Sequence, residues 1–279
     1  MKIVKKMKLK SWLLLFLMGV FAFSACGSDT RENGSNNAIE MGESQTTYET
    51  EESQATYEIE ESQTIFEIEA SEMNYIFLPP PEDDGDMSVE SALANRRSHR
   101  SFLDRALSLE QLSQILWAAY GITSPIPDNP NLRGGLRTTP SAGALFPLEI
   151  YVIIGNVDGI EPGVYRYSAA EHKILQVVYG DVRDELYEAA LSQSMVREAP
   201  ISVFYSAVFE RTTDIYGERG IMYVYMEIGH SAQNVYLQVE ALGLGTCAIG
   251  AFTNDRVRQI LHLPDNEEPL YLMPIGYSY

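Results

Sequence analysis

From about residue 75 onward, apolar positions recur with two different periods. Leu109, Leu112, Ile115, Leu116 and Ala119 fall three or four apart and so share one helical face. Ser108 with Gln111 three positions on forms a capping box, and Gly121 is a natural stop. Val89, Ala92 and Leu93 predict a shorter helix over Ser88–Asn95. Residues 221–242 predict the most hydrophobic helix, apolar around its circumference and therefore buried on most sides, closed by Gly243 and Gly245. Asp181 is expected to cap a helix reaching about Gln193, and Thr253 to start a short one ending near Leu261. Strand patterns cover Glu149–Ile154, a hairpin of Gly163–Tyr167 with Ile174–Val178, and Pro269–Ile275. Ile201–Val208 is an uninterrupted apolar run and predicts a central strand. Thr246–Phe252 reads as a strand or turn of small residues, and 122–139 as a Pro/Asn/Gly-rich loop. Such alternation predicts a mixed α+β or α/β layer architecture.

The first quarter of the chain follows other rules. Met1–Lys10 is basic, Trp12–Phe23 is apolar, and Ser24-Ala25-Cys26-Gly27 places small residues around a cysteine. That describes an export signal, since twelve apolar residues are too few to span a bilayer. The Phe-Ser-Ala-Cys ending resembles a bacterial lipobox. It implies lipidation at Cys26, an extracytoplasmic position and attachment to the membrane by a lipid anchor. Residues 43–69 are three copies of a nonapeptide, ESQTTYETE, ESQATYEIE and ESQTIFEIE. Their mutually repelling carboxylates favour a disordered tether over 27–74, with an end-to-end distance of roughly 40 Å for about fifty residues. The expected folded domain is then 75–279, entered through Tyr75–Leu78 and three stiffening prolines.

Charge narrows the options. The net charge is −19, with five Lys and no acid in 1–28, and one Arg against 17 acidic residues in 29–86. No basic face for nucleic acid is available. Gly243-Leu244-Gly245 lacks the third glycine of a dinucleotide fingerprint and follows a helix. No G-x-S-x-G elbow exists. Glu227-x-x-His230 has di-iron half-site spacing but occurs once where that chemistry needs two, so no metal is expected. Cys247 in a glycine-flanked apolar run fits a small buried residue better than a nucleophile.

Against this acidic background Arg96-Arg97-Ser98-His99-Arg100-Ser101-Phe102 stands out. Guanidiniums match phosphate with two parallel N–H bonds, although the same cluster also fits a solvated basic helix end. Pro140-Ser141-Ala142-Gly143 and Gly245–Phe252 are runs of small residues that let backbone approach a flat ligand.

Taken together these stretches resemble the nitroreductase superfamily of FMN enzymes, in its SagB-like branch. The resemblance runs from about Ile76 to Gly276. It includes Arg96-Arg97-Ser98-x-Arg100-x-Phe102, Leu136-Arg137-x-x-Pro140-Ser141-Ala142-Gly143, Gly163-Val164-Tyr165-Arg166-Tyr167, Glu227-x-Gly229-His230-x-x-Gln233-Asn234 and Gly243-Leu244-Gly245-Thr246. It implies an α+β fold, a mixed sheet flanked by helices on both faces, in an intertwined homodimer. It also implies FMN as cofactor, with Arg96, Arg97 and Ser98 at the phosphate and Arg100 and Gln193 at the pyrimidine edge. Pro140, Ser141, Ala142 and Gly143 would reach in from the partner subunit, and Ala248, Ile249, Gly250 and Ala251 would run along the ring with the Gly250 N–H at N5. The implied activity is two-electron hydride transfer to or from a small molecule or peptide, with no side chain named as catalytic acid. The alternatives are an exported flavin-binding protein without turnover, or an azoline dehydrogenase acting on a modified peptide. The chain departs from the family in two places. Gly276–Tyr279 lacks the family's phosphate-binding Lys or Arg, and Ile215-Tyr216 replaces the Lys-Tyr pair of azoline dehydrogenases.

Overall fold

A computed structural model describes residues 75–279; the expected signal, Cys26 and the repeat tether lie outside the described residues. The central element is a seven-stranded sheet. In chain order its strands are β1 (Tyr75–Phe77), β4 (Leu148–Ile154), β5 (Gly163–Ser168), β6 (Lys173–Tyr179), β7 (Ile201–Ala207), β8 (Gly245–Thr246) and β9 (Glu268–Gly276). Their spatial order is β1-β6-β5-β4-β7-β9-β8, and all six pairings are antiparallel. A parallel bridge from Ser98 to Thr246 extends the β8 edge and makes the sheet mixed there. β2 (Ile122–Pro125) and β3 (Gly135–Arg137) form a separate two-stranded ribbon.

The helices are α1 (Val89–Asn95), α2 (Leu109–Tyr120), α3 (Arg183–Ala189), α4 (Met195–Glu198), α5 (Glu210–Tyr216), α6 (Arg219–Ala241) and α7 (Asn254–Ile260). They cover both faces, as the side-chain alternation of β4 and β7 makes visible. Ile150, Val152, Ile154, Ile201, Val203 and Tyr205 pack with Leu112, Ile115 and Leu116 of α2 and with Val224, Ile228, Val235 and Val239 of α6. Tyr151, Ile153 and Phe204 point the other way, onto Leu186 and Ala189 of α3, Val196 of α4 and Val257 of α7. All seven residues of β4 and of β7 are buried, which explains their near-continuous apolar sequence.

The capping box at Ser108 and Gln111 is formed, with both reciprocal bonds present. Gly121 ends α2 for a different reason than glycine's left-handed freedom. Its φ is −68°, and a Cβ there would sit 2.2 Å from Trp117 Cδ1. Residues 122–139 hold the β2–β3 ribbon and a short turn over Pro130–Leu132 instead of a bare loop. The helix expected from Asp181 to Gln193 stops at Ala189, because Leu191 and Ser192 take left-handed backbone, and it resumes as α4. α5 has no counterpart among the elements that the sequence pattern predicts.

α6 is less enclosed than its composition suggests. Ile221, Met222, Tyr225 and Met226 are 43%, 42%, 55% and 48% exposed, so its first half carries an open apolar stripe. The entry segment lies as a strap across α2, α6 and the sheet. Pro79 O accepts from Ser113 Oγ at 2.6 Å and lies 2.9 Å from His172 Nε2. Glu82 and Gln114 exchange two bonds of 2.9 Å, and Gln114 Nε2 continues to Gln238 Oε1 at 3.2 Å.

Candidate flavin site

Two groups of the expected site residues come together at the β8 edge. The chain leaves α1 at Arg96, whose N–H still donates to Ala92 O at 2.9 Å. It then runs beside β8, with His99 N–H donating to Thr246 O at 2.9 Å. The approach is close enough that a Cβ on Gly245 would lie 2.8 Å from His99 Cβ, so a side chain at 245 would push the two segments apart. Tyr236 of α6 closes this corner. Its hydroxyl accepts from Ala248 N–H at 2.9 Å and lies 3.2 Å from Ser98 Oγ, and the Arg96 guanidinium stands 5.2 Å from its ring centre.

Backbone donors then change state along 248–250. Ala248 N–H is held by Tyr236 and Ile249 N–H by Leu272 O at 2.8 Å, while Gly250 N–H has no protein acceptor among the described residues. Gly250 is exposed, with only the Tyr271 ring near where a Cβ would be. Ala251 O accepts from Gln193 Nε2 at 3.1 Å, and Gln193 also donates to Ala190 O at 2.9 Å, which pins this segment to the end of α3. The structure therefore joins Arg96, Ser98, Gln193, Ala248, Ile249, Gly250 and Ala251 in one continuous wall.

Arg97 takes another direction. Its Nη1 donates back to the carbonyls of Ala94, Asn95 and Arg96 at 3.0, 3.2 and 2.8 Å, where a positive charge also suits the C-terminal end of α1. Arg100 is exposed. Burial pushes the Cys247 thiol pKa up, and the positive charge of Arg100 partly opposes that shift.

Pro140–Gly143 lies elsewhere. It packs against the middle of α6, where Asn234 Nδ2 donates to Thr138 O and Thr139 Oγ1, both at 3.2 Å. From Glu227, which the Ser141 hydroxyl hydrogen-bonds, to Tyr236 is nine residues of helix, or about 13 Å of axial rise. The loop is stiff. Gly143, Ala144 and Phe146 have φ of 61°, 54° and 47°. Phe146 O accepts from Arg133 Nη1 at 2.8 Å and Arg211 Nη1 at 3.2 Å, and Ser141 Oγ accepts from Phe146 N–H at 2.9 Å.

Glu227 is 2% exposed, and Tyr120 OH donates to its Oε1. Burial raises its pKa to about 7, against the opposing pull of hydrogen bonds from Ser141 and Tyr120 and of the Arg137 charge. His230 faces solvent, so Glu227 and His230 do not converge, and no three potential metal ligands cluster among the described residues. Tyr236 and Tyr120 are absent from the sequence-derived candidates. The only local signal is that a tyrosine on a buried helix needs a partner for its hydroxyl.

The described chain matches a known family. The nitroreductase family model matches residues 93–277. A protein of Methanocaldococcus jannaschii described as a nitroreductase is 46% identical over 191 residues, covering 68% of this chain and 91% of its own length. The Microcin B17-processing protein McbC of Escherichia coli is 25% identical over 58% of this chain and 60% of its own. A solved structure from Ralstonia eutropha JMP134, also described as a nitroreductase, aligns with a TM-score of 0.62 at 28% identity, over 74% of this chain and 90% of that one. The chain belongs to the nitroreductase family, and its relatives include proteins of the SagB-like branch. It is a flavin-dependent oxidoreductase.

Proposed function

We propose that the flavin is FMN, that two copies of the chain build each site, and that the enzyme works by two-electron hydride transfer outside the cytoplasmic membrane, held there through a lipid on Cys26. The observation that carries the FMN reading is the corner of Arg96, Ser98 and Tyr236 beside a free Gly250 N–H. Arg96 and Ser98 offer charge-assisted donors suited to one terminal phosphate. Gly250 N–H, with no protein acceptor among the described residues, is the donor assigned to flavin N5. Arg100, exposed beside this wall, would place positive charge at the pyrimidine edge and favour the anionic reduced form. The bound flavin supplies the hydride chemistry; the chain orients it and tunes it.

The dimer reading rests on two features. Within one protomer Asn234, which holds Thr138 and Thr139 at the start of this loop, stands two residues from Tyr236 and so about 200° around α6 from it, on the opposite face, so a partner must supply this loop if it is to touch the same flavin. Ile221, Met222, Tyr225 and Met226 offer the open apolar stripe that such a partner would cover. The substrate is a small molecule or a modified peptide. Ile215, 65% exposed and apolar, stands where azoline dehydrogenases carry the lysine of their Lys-Tyr pair, which favours a small-molecule substrate over azoline oxidation.

The test is an absorption spectrum of the purified protein followed by titration with FMN, FAD and riboflavin. FMN should bind more tightly than riboflavin by at least about tenfold, the worth of one charge-assisted phosphate contact. A protein that stays colourless, or that ignores the phosphate, would overturn the reading. Light scattering that finds a monomer would overturn the shared site, and a Cys26→Ser variant that stays in the membrane fraction would overturn the anchor.

A further inference from the structure

Away from the flavin wall, a cavity of about 410 Å³ opens between the start of β4, the end of α2 and the β5–β6 hairpin. None of the residues expected to touch flavin lines it. Four cations do: Arg133, Arg137, Arg166 and Lys173, against the two carboxylates of Glu149 and Glu171. Such a balance is unusual in a chain of net charge −19.

Three of the four cations are answered from within. Lys173 Nζ pairs with Glu171 at 2.8 Å, and Arg133 and Arg166 each reach Glu149 at 2.8 Å. Glu149 is already divided, because Arg211 also contacts it at 2.6 Å. Arg137 has no carboxylate within ion-pair distance among the described residues. Its Nη1 and Nη2 reach only the carbonyls of Tyr120 and Arg133, at 3.5 and 3.4 Å, and its buried Nε has no partner among those residues. A largely buried guanidinium left in this state is costly unless something pairs with it.

The side chain is also held in place. Its guanidinium lies 4.3 Å from the ring centre of Tyr120 and 4.8 Å from that of Phe146, so the fork is fixed before any ligand arrives. The Tyr120 ring, 1% exposed, lies under that guanidinium, and Tyr75 and Tyr167 line the cavity beside it. A planar body fits between aromatic walls, and an oxyanion fits a fixed guanidinium.

We propose that this cavity binds a small planar organic acid, its carboxylate on Arg137 and its body against Tyr75 and Tyr167. The site stands three residues upstream of Pro140 and does not depend on the flavin reading, since its cations and its orphaned nitrogen are present either way.

The experiment is calorimetric titration of the full-length protein, as purified, with benzoate and separately with inorganic phosphate at constant ionic strength. Benzoate should bind at least about tenfold more tightly than phosphate, and Arg137→Gln should weaken benzoate by about tenfold or more. Ala170, exposed at the cavity mouth, provides a second variant that leaves the buried network alone. Ala170→Trp should obstruct the cavity and weaken benzoate to a similar degree, and it decides the matter if Arg137→Gln fails to fold. No benzoate heat at about 10 mM, benzoate no tighter than phosphate, or benzoate binding unchanged by Ala170→Trp would overturn the proposal.

Discussion

Replacing Glu227 by glutamine isolates the energetic consequence of one buried acid. The carboxyl is 2% exposed, accepts a hydrogen bond from Tyr120, and has its pKa raised from 4.5 to about 7, chiefly by burial. A raised folded-state pKa means that the fold holds the protonated acid more tightly than the ionised one. The associated stability is complete below the unfolded pKa and is lost as pH rises through the folded value. At roughly 1.4 kcal/mol per unit, the loss amounts to about 3 kcal/mol between about pH 5 and pH 8. The amide of the Glu227→Gln variant cannot ionise, and its carbonyl can still accept from Tyr120. The variant should match wild type near about pH 5 and exceed it by about 3 kcal/mol near about pH 8. Urea unfolding of both proteins at several pH values in that range would measure the difference, with other titrating groups cancelling between them. Parallel stability curves would refute the reasoning, because Glu227 would then have to remain ionised and fully solvated or paired in the fold.

Other expected outcomes follow from the same geometry. Tyr236→Phe strands the Ala248 N–H but keeps the ring under Arg96, so FMN should bind weaker by about five- to thirtyfold, corresponding to roughly 1–2 kcal/mol; unchanged affinity in a fluorescence titration would place the cofactor elsewhere. Glu149 has its pKa lowered to about 2, because three guanidiniums outweigh the cost of burial, so its stabilisation exists above its unfolded pKa and disappears as pH falls toward about 2. Glu149→Gln should cost about 3–5 kcal/mol at neutral pH, and the gap should close in acid; equal unfolding midpoints at neutral pH would contradict the network. Gly143→Ala meets a φ of 61° and a Tyr216 hydroxyl 2.8 Å from the new Cβ. The thermal midpoint should fall by the equivalent of about 1–2 kcal/mol, mostly from backbone strain because the Tyr216 ring can move aside.

How far the sequence can be read depends on how local each cause is. The Ser108–Gln111 box, the apolar face of α2 and the buried run of β7 rest on neighbours within one element, and each is visible in the chain. The open stripe of α6 is not, because Met222 and Tyr225 are as apolar as the core and composition does not say which face finds a partner. The break after Ala189 depends on left-handed backbone at Leu191 and Ser192, and neither residue type favours that conformation. Arg96, Ser98 and the 248–251 run can be singled out by residue type. Tyr236, which joins them, cannot, since Ser98 is 138 residues away from it in the chain. Arg97 is equivalent to Arg96 in sequence, and only the end of α1 turns it back.

The strap at the domain's entry has a mechanical consequence. Tyr75–Phe77 forms the outermost strand at one edge of the sheet, and β8, beside Ser98, forms the other. Six strand spacings separate them, about 29 Å. A pull arriving through residue 75 loads the β1–β6 ladder and the Pro79 contacts with Ser113 and His172 first. That edge would peel well before tension crossed the central strands. Past the strap the next element along the chain is α1, which runs into Arg96, so a pull strong enough to strip both would reach the corner of Arg96, Ser98 and Tyr236 along the chain while the central strands still hold.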